Sequence, residues 1–210
     1  MLFSIILPTY NRAHLIGRAI DSVRNQEYEN WELLVSDDGS SDNTKKIVDS
    51  FTERDERITY INQSNQGPAV ARNHGAEFAK GSFLSFLDSD DEYLPDHLSV
   101  REQLISQIPA VELIHGNVEV IGSNMVADMH DPSKLIPIDE CIIGGTFTIR
   151  RDLFKRLGGF SDMLYGDDND FFTRAMQLGA LIKKNEKVTY RYYRTESDSI
   201  TMMMQNTHSK

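Results

Sequence analysis

The first half of the chain alternates apolar segments with amphipathic ones. Apolar runs of strand length begin near residues 2, 31, 58 and 82, as "LFSIIL", "WELLVS", "ITYIN" and "SFLSFL". Between them, apolar residues recur at helical spacing in "AHLIGRAIDSVRNQ", "NTKKIVDSFTER" and "GPAVARNHGAEFAKG". Apolar strands separated by such helices predict a parallel sheet covered on both faces, with ligands bound beyond the carboxyl ends of its strands.

Residues that favour helix ends lie at the borders of these segments. Asn11 is near enough to the first helix to help cap its start. Pro68 is expected to open the third helix and Gly81 to close it. Pro95 is expected to open a fourth helix that runs to about Gln107.

After Val111 the pattern changes to a mixture of strands and helices. "VELIHGNVEVIG" predicts one or two strands, and "CIIGGTFTIR" and "KKNEKVTYRYYR" predict one strand each. "RDLFKRLG" and "DDNDFFTRAMQLG" predict helices, the second closed by Gly179. Residues 123–139 are rich in Asp, Pro and Ser and predict a mobile loop. We therefore expect one α/β domain over residues 1–210, with a nucleotide-binding half (1–95), an α+β half (96–194) and a polar tail (195–210).

Composition narrows the class of protein. The 210 residues carry 22 Lys plus Arg against 32 Asp plus Glu, a formal net charge of −10. This charge argues against nucleic acid as a partner and fits carboxylates that hold a divalent cation.

The single cysteine, Cys141, excludes an intrachain disulfide and favours a reducing cytoplasm. No apolar run approaches the roughly 20 residues of a membrane span, so we expect a soluble protein, which the cysteine content assigns to the cytoplasm. Peripheral association with the cytoplasmic face of a membrane and homo-oligomer formation stay open.

Acidic residues cluster at three places where the predicted fold puts function. Each cluster alone has a structural explanation, as a solvated turn or as acids at the positive end of a helix dipole. Three such coincidences favour one shared site. The clusters are Asp37 and Asp38, then Asp88 and Asp90, then Asp167, Asp168 and Asp170.

The second cluster poses an electrostatic question. Four carboxylates fall within five residues, in "DSDDE" from Asp88 to Glu92. Two unit charges about 4 Å apart repel by roughly 1 kcal/mol in water and by more near a low-dielectric interior. Unless these acids are fully solvated, a positive charge is expected beside them.

Groups suited to anions lie near the same edge. "TYNR" follows the first strand, and Arg72 lies early in the third helix, where a surface salt bridge is the alternative explanation. The sequence has no G-x-x-x-x-G-K-[ST] motif and no G-x-G-x-x-G after the first strand, which argues against P-loop enzymes and dinucleotide oxidoreductases. The six histidines show no zinc-type spacing, so an oxygen-ligated Mg²⁺ or Mn²⁺ is favoured.

Four segments together resemble the family 2 glycosyltransferases with the GT-A fold. They are "SIILPTYNR", "VSDDGSSDNT", "GPAVARNHGAEFAKGSFLSFLDSDDEYLP" and "GGFSDMLYGDDNDFFTRAMQLG", in the family's order and spacing. The resemblance covers most of residues 3–194. It implies an inverting transfer of a sugar from a nucleoside-diphosphate sugar, such as a UDP-sugar, to an acceptor hydroxyl. The acceptor would be a glycan or a lipid-linked glycan in polysaccharide or glycoconjugate synthesis.

The resemblance also implies roles for residues at matching positions. Asp38 would read a pyrimidine ring N–H, and Asp168 would be the general base. Asp167 stands where the family often has Glu, and it would orient the acceptor, because neighbours on a helix point about 100° apart. The remaining donor-binding residues implied are Thr9, Tyr10, Asn11, Arg12, Arg72, Asp88, Ser89 and Asp90.

A divalent metal, Mn²⁺ or Mg²⁺, belongs to the same implied site. Asp90 would bind the metal that bridges the diphosphate, and Asp88 would contact the ribose and share the metal site. The metal would then supply the positive charge that the four carboxylates lack. Thr195 and Glu196 stand where the family often carries a histidine, so the resemblance lends no support to a third protein ligand from the tail.

Rival classes differ from this pattern in identifiable ways. A sugar-nucleotide pyrophosphorylase would carry a Gly- and Arg-rich loop after its first strand. A receiver domain would be about half as long. A non-catalytic sugar-nucleotide or glycan-binding module of the same fold is the main alternative, and a donor-hydrolysis assay separates it from an enzyme.

Overall fold

The computed structural model describes residues 1–128, 131, 134–163 and 165–195. Glu196 and the rest of the predicted polar tail lie outside the described residues. The strands within the described residues are β1 (Phe3–Thr9), β2 (Trp31–Asp37), β3 (Ile58–Asn62), β4 (Phe83–Phe86), β5 (Glu92–Tyr93), β6 (Leu113–Gly116), β7 (Glu119–Gly122), β8 (Met125–Ala127), β9 (Leu135–Pro137), β10 (Thr148–Arg150), β11 (Ile182–Asn185) and β12 (Tyr190–Arg194). The α-helices are α1 (Ile16–Arg24), α2 (Thr44–Thr52), α3 (Pro68–Glu77), α4 (His97–Gln107), α5 (Arg151–Arg156) and α6 (Asp167–Gln177).

The main sheet has the strand order β11-β6-β10-β4-β1-β2-β3 within the described residues. Strands β1 to β4 run parallel, as the alternation of strands and helices predicts. Strand β10 lies antiparallel to β4 and β6, which makes the whole sheet mixed. All residues of β1 and β2 are buried, since the sheet is covered on both faces.

Side chains of the central strands alternate between two hydrophobic clusters. Ile5 and Leu7 pack into one cluster, whereas Ile6 and Leu34 pack into the other. This period of two is what a pleated strand imposes on a sequence buried on both faces. The parallel register brings Thr9 of β1 beside Asp37 of β2, so the carboxyl ends of the central strands meet at one edge.

Three predicted helix ends are wrong. Helix α4 begins at His97, two residues after Pro95, although it ends at Gln107 as predicted. Helix α1 begins at Ile16 and has no side-chain cap. Asn11 instead accepts hydrogen bonds at Oδ1 from the N–H groups of Ser41 (2.8 Å) and Asp42 (3.3 Å). Helix α3 starts at Pro68 as predicted but ends at Glu77.

Gly81 serves a close approach of two backbones rather than a helix end. A Cβ atom at Gly81 would lie 2.6 Å from the carbonyl oxygen of Leu2 and 2.8 Å from the Ser4 nitrogen. Its own N–H donates to Ser4 Oγ (2.8 Å). Only glycine lets the chain enter β4 this close to β1.

The second half contains more short strands than the pattern predicts. "VELIHGNVEVIG" gives β6 in the main sheet and β7 in a separate three-stranded sheet with β5 and β12. "KKNEKVTYRYYR" likewise divides into β11 and β12. In "CIIGGTFTIR" only Thr148–Arg150 is a strand, preceded by a 3₁₀ turn at Gly144–Thr146.

The segment predicted as a mobile loop contains an antiparallel strand pair. Strands β8 and β9 pair from Met125 opposite Pro137 to Ala127 opposite Leu135. The strands are three residues long, too short for alternation to stand out from the surrounding Asp, Pro and Ser.

None of the helices in the described ranges is long and apolar enough to cross a membrane.

Candidate active site

A cleft of about 780 Å³ opens at the carboxyl edge of the parallel strands. One wall comes from the loop after β1, the end of β2, the start of α3 and the segment after β4. The opposite wall comes from β8, β9, the segment 138–144, the start of α6 and two tyrosines of β12. The cleft therefore joins the two halves of the chain.

Every residue to which the family resemblance assigned a role lines this cleft. These residues are Thr9, Tyr10, Asn11, Arg12, Asp38, Arg72, Asp88, Ser89, Asp90, Asp167 and Asp168. Two acids of the three predicted clusters have structural partners instead. Asp37 is fully buried and accepts from the Ser40 N–H and the Tyr60 hydroxyl, and Asp170 accepts from Ser161 and Arg174.

The loop after β1 is fixed to the loop after β2. Asn11 has a positive φ of 52°, and its N–H donates to Ser40 Oγ (2.8 Å). The Arg12 N–H donates to Thr44 Oγ1 (2.9 Å). Tyr10, which directly precedes these two anchored residues, lines the cleft and is 46% exposed. An exposed aromatic ring on a fixed loop is suited to stack on a planar ligand.

Asp38 is buried at the floor of the cleft and organises the chain before α3. Its Oδ1 accepts from Gln63 Nε2 (2.6 Å) and the Gln66 N–H (2.9 Å), and its Oδ2 accepts from the Gly67 N–H (2.8 Å). A carboxylate has about four acceptor positions, so three protein donors leave room for one more. Asp38 can therefore shape the loop and still accept from a ligand N–H.

Arg72 bridges the two acidic walls of the cleft. Its Nη2 donates to Asp88 Oδ1 (2.7 Å) and its Nη1 donates to Asp167 Oδ2 (2.7 Å). The Arg72 side chain is only 13% exposed, so a surface salt bridge does not describe it. Burial opposes the charged form of Arg72, but the charges of Asp88 and Asp167 outweigh burial and raise its pKa.

The protein itself answers part of the charge question at "DSDDE". Arg72 pairs with Asp88 and so supplies part of the positive charge expected there. Asp91 is fully buried and accepts from the Tyr190 hydroxyl (2.7 Å) and the Tyr193 N–H (2.8 Å). Glu92 accepts from the Tyr193 hydroxyl.

Asp88 and Asp90 are the acids of this segment that face the cleft. Burial and the charges of Asp90 and Asp88 raise the pKa of Asp91. The carboxylates of "DSDDE" thus divide into a cleft pair, Asp88 and Asp90, and a pair that binds strand β12, Asp91 and Glu92.

The start of α6 holds two acids in different environments. Asp167 contacts Arg72, whereas Asp168 Oδ2 accepts from the Gly144 N–H (2.9 Å) and Oδ1 from the Asn169 N–H (2.8 Å). Burial, followed by the charge of Asp167, raises the pKa of Asp168 to about 6. A carboxyl group with this pKa is mostly ionised at neutral pH and is a stronger base than an ordinary aspartate.

The residues present fit a divalent metal only together with a ligand. Among the residues that the structure describes, no group of three or more His, Cys, Asp or Glu side chains is placed to hold a metal ion. Mg²⁺ commonly binds one or two carboxylates plus substrate phosphates rather than an all-protein cage. Asp88 and Asp90 would supply the two carboxylates of such a donor set, and the phosphates of a bound substrate would complete it.

The sequence interpretation missed several residues of the cleft. Tyr192 and Tyr193 line it from β12, and Tyr165 donates to the Ala127 carbonyl (3.0 Å) and so fixes strand β8. The guanidinium of Arg18 lies 3.8 Å from the Tyr193 ring centroid and donates to the Asp90 carbonyl. Only the aromatic run "YRYYR" carries a sequence signal, since the other contacts depend on tertiary placement.

The fold and the cleft define a protein of the GT-A class. TarS of S. aureus in complex with UDP-GlcNAc matches with a TM-score of 0.77 at 23% identity, over 95% of this chain and 60% of that chain. The mannosyltransferase PcManGT of Pyrobaculum calidifontis, in complex with GDP-Man and Mn²⁺, matches with a TM-score of 0.74 at 23% identity, over 90% of this chain and 56% of that chain. At this level of identity the match confirms the expected GT-A fold alone.

Residues 4–158 match the sequence model described as Glycosyl transferase family 2. The chain belongs to this family, as its motifs predict. It is 42% identical over 126 residues to the Escherichia coli protein named UDP-Glc:alpha-D-GlcNAc-diphosphoundecaprenol beta-1,3-glucosyltransferase WfgD, which covers 60% of this chain and 49% of that protein. An uncharacterized glycosyltransferase of Haemophilus influenzae is 30% identical over 219 residues, 98% of this chain and 73% of that protein. The chain thus spans about half the length of WfgD.

Proposed function

We propose that this protein is an inverting glycosyltransferase that moves a sugar from a nucleoside-diphosphate sugar to an acceptor hydroxyl. One observation carries the proposal. The predicted nucleotide-binding residues, the acids of "DSD" and the first two acids of "GDDND", Asp167 and Asp168, all line one cleft of about 780 Å³. In a family 2 chain, this shared lining supports a site that binds a nucleoside and a diphosphate and accepts a proton.

The first half of the chain would hold the donor. Tyr10 stacks on the base, and Asp38 accepts from a ring N–H, which favours a pyrimidine and hence a UDP-sugar. Thr9, Asn11, Arg12 and Ser89 complete the cleft wall around the nucleotide. Arg72 lies between the two acidic walls, where its charge attracts the diphosphate.

Asp90 and Asp88 would hold Mn²⁺ or Mg²⁺ jointly with the diphosphate oxygens. When bound, such an ion offsets the negative charge that the leaving diphosphate gains in the transition state. Arg72 keeps Asp88 in position beside Asp90 through its 2.7 Å contact.

Asp168 would act as the general base. Its Oδ2 is held by the Gly144 N–H, and its pKa of about 6 leaves it ionised at neutral pH. It removes a proton from the acceptor hydroxyl as that oxygen attacks the anomeric carbon from the face opposite the diphosphate. Asp167 holds Arg72 by a 2.7 Å contact, in addition to the acceptor-orienting role that the resemblance implies.

The acceptor side of the cleft favours an acceptor with apolar parts. Val126, Ile136, Ile138, Ile142 and Ile143 line this wall. The name of WfgD specifies an acceptor linked to diphosphoundecaprenol. We propose a lipid-linked glycan as the acceptor, with peripheral association at a membrane surface.

A donor panel tests the proposal. UDP-, GDP- and dTDP-sugars, each with and without Mn²⁺, are assayed for a rise in melting temperature and for release of the nucleoside diphosphate. We expect UDP-sugars to stabilise the protein in a Mn²⁺-dependent way, because a ligand that binds only the native state raises its stability. Asp90→Asn should abolish this dependence in a folded protein, whereas the exposed Asp162→Asn should retain it.

Each part of the proposal fails on a different result. Tighter binding of GDP than of UDP refutes the pyrimidine assignment. Unchanged Mn²⁺-dependent affinity in folded Asp90→Asn refutes the metal assignment. Donor binding without hydrolysis or transfer to any lipid-linked acceptor identifies a sugar-nucleotide-binding module instead of an enzyme.

A further inference from the structure

A short glycine turn packs directly against the carboxylate of Asp168. The turn is the 3₁₀ segment Gly144–Thr146, and all three of its residues are buried. The Gly144 N–H donates to Asp168 Oδ2 at 2.9 Å. A Cβ atom at Gly144 would lie 2.9 Å from Asp168 Cβ, closer than two carbon atoms can pack without displacement. Glycine is therefore required here by space.

The next residue of the turn faces the other acidic segment. A Cβ atom at Gly145 would lie 2.3 Å from the Tyr190 hydroxyl oxygen. That hydroxyl donates to Asp91 Oδ2 (2.7 Å) and accepts from the Asp88 N–H (3.3 Å). The turn thus contacts the proposed base on one side and, through Tyr190, the "DSD" segment on the other.

Three hydrogen bonds at Thr146 fix the turn from behind. Its Oγ1 donates to the Ile143 carbonyl (2.7 Å) and accepts from the Gly116 N–H (3.2 Å). Its carbonyl accepts from the buried guanidinium of Arg101 (3.1 Å). A turn held by buried hydrogen bonds moves little, so the groups that touch it are held at a set separation.

We propose that the turn Gly144–Thr146 is a positioning element that sets Asp168 against the donor-binding segment Asp88–Asp90. Gly144 is the most important residue of the turn. The Gly144 N–H holds the Asp168 carboxylate, and the absence of a side chain at Gly144 leaves room for Asp168. This inference rests on the proposed function and adds a residue that the family motifs quoted above do not contain.

Gly144→Ala tests the proposal, since it keeps the N–H and adds the methyl group that displaces Asp168. We expect kcat to fall at least tenfold while the KM for a UDP-sugar changes less than twofold, because the donor contacts lie elsewhere. The carboxyl pKa of Asp168, followed by ¹³C NMR, should rise, because a weakened N–H donor stabilises the carboxylate less. The charged and titratable groups that face Asp168 are Asp167, Arg72, Cys141 and Tyr165, and all remain in the variant.

Gly17→Ala is the matched control. Gly17 lies in helix α1, and the nearest atom to an added Cβ is 3.9 Å away. It should leave kcat and the Asp168 pKa unchanged. If Gly144→Ala does not fold, Thr146→Val replaces it, since this change removes two of the hydrogen bonds behind the turn without adding volume. It should move kcat and the Asp168 pKa in the same directions by less.

The NMR titration separates this inference from the proposed function. Folded Gly144→Ala with a native Asp168 pKa and a native kcat would overturn the positioning role. If the wild-type protein transfers no sugar, the proposed function fails. The titration still decides whether Gly144 holds Asp168, because it requires no reaction.

Discussion

At the scale of single residues, the site depends on a carboxyl group held in an unfavourable environment. Asp168 carries an ionisable carboxyl group in a partly buried position, next to the like charge of Asp167. Arg72 and the N–H groups of Gly144 and Asn169 offset only part of this cost, so its pKa stays near 6. A base poised close to neutral pH is what proton transfer from a hydroxyl requires.

This environment predicts that neutralising Asp168 stabilises the protein. The folded-state pKa of about 6 lies above the ordinary value of about 3.9. The stability that the bound proton provides is therefore fully present below about pH 4 and is lost as the pH rises through 6. Asp168→Asn should gain stability relative to the wild type by roughly 2–3 kcal/mol between pH 4 and pH 8. Urea denaturation at the two pH values measures this difference.

Asp162→Asn serves as the control, because Asp162 is exposed. Its stability should differ from that of the wild type by less than about 0.5 kcal/mol, as for most surface substitutions. A stability difference for Asp168→Asn that does not change with pH would contradict the raised pKa.

At the scale of elements, Arg72 joins helix α3, the end of strand β4 and the start of helix α6. Its two carboxylate partners lie 16 and 95 positions away in the sequence. The side chains of Arg72, Asp88 and Asp167 are 13%, 26% and 11% exposed. The three elements that carry the site are thus held together by one partly buried cation.

Arg72→Gln should therefore destabilise the fold, because two carboxylates lose their shared partner. Breaking a buried pair typically costs roughly 3–5 kcal/mol, and we expect about 2–4 kcal/mol at this partly exposed site. Urea denaturation measures the loss. Adding Asp167→Asn to the variant should recover part of it, since one unpaired charge is then removed.

Arg24→Gln is a matched control for this prediction. Both guanidinium groups lie 5.7 Å from a phenylalanine ring centroid, but the Arg24–Asp21 pair is exposed, at 38% and 53%. Its loss should cost less than about 1 kcal/mol. Equal losses for the two arginine variants would show that the Arg72 bridge does not hold the elements together.

The close approach of the Gly81 backbone to strand β1 gives a second prediction at this scale. Gly81→Ala places a methyl group within 2.8 Å of two backbone atoms, so strand β4 must shift against β1. We expect a loss of about 1–3 kcal/mol in the free energy of unfolding, as in overpacked cores. Gly17→Ala should instead be neutral or stabilising by up to about 1 kcal/mol. Similar values for the two variants in urea denaturation would contradict the close approach.

At the scale of the whole molecule, the sequence predicts the parallel strands well, and the residues that it proposes for the site line one cleft. Strong periodicity locates β1 to β4, and the parallel register then brings Thr9 beside Asp37. What the sequence could not predict depends on tertiary contacts. The Arg72 bridge, the role of Gly81 and the strand pair β8–β9 follow from partners distant along the chain.

The partners of the acidic residues also depend on tertiary contacts that the sequence does not reveal. The sequence singles out the acids at the strand and helix ends but not Asp128 and Glu140, which also line the cleft, and only packing decides that Asp38 faces it while Asp37 accepts from Tyr60. A run such as "DSDDE" has no internal signal for which carboxylate binds strand β12. Motifs therefore predict which segments form a site more reliably than which partner each side chain takes.

The most direct test of the proposed chemistry is the anomeric configuration of the product. The protein is incubated with a UDP-sugar, Mg²⁺ and a lipid-linked acceptor, and the new glycosidic linkage is followed by ¹H NMR. We predict a β-linked product from an α-linked donor, formed by the wild type and by Asp162→Asn. Asp168→Asn should form it about 10²–10⁴ times more slowly, the range that general base catalysis contributes. A product that retains the donor configuration, or Asp168→Asn with near-normal turnover beside an inactive Asp167→Asn, would contradict the account.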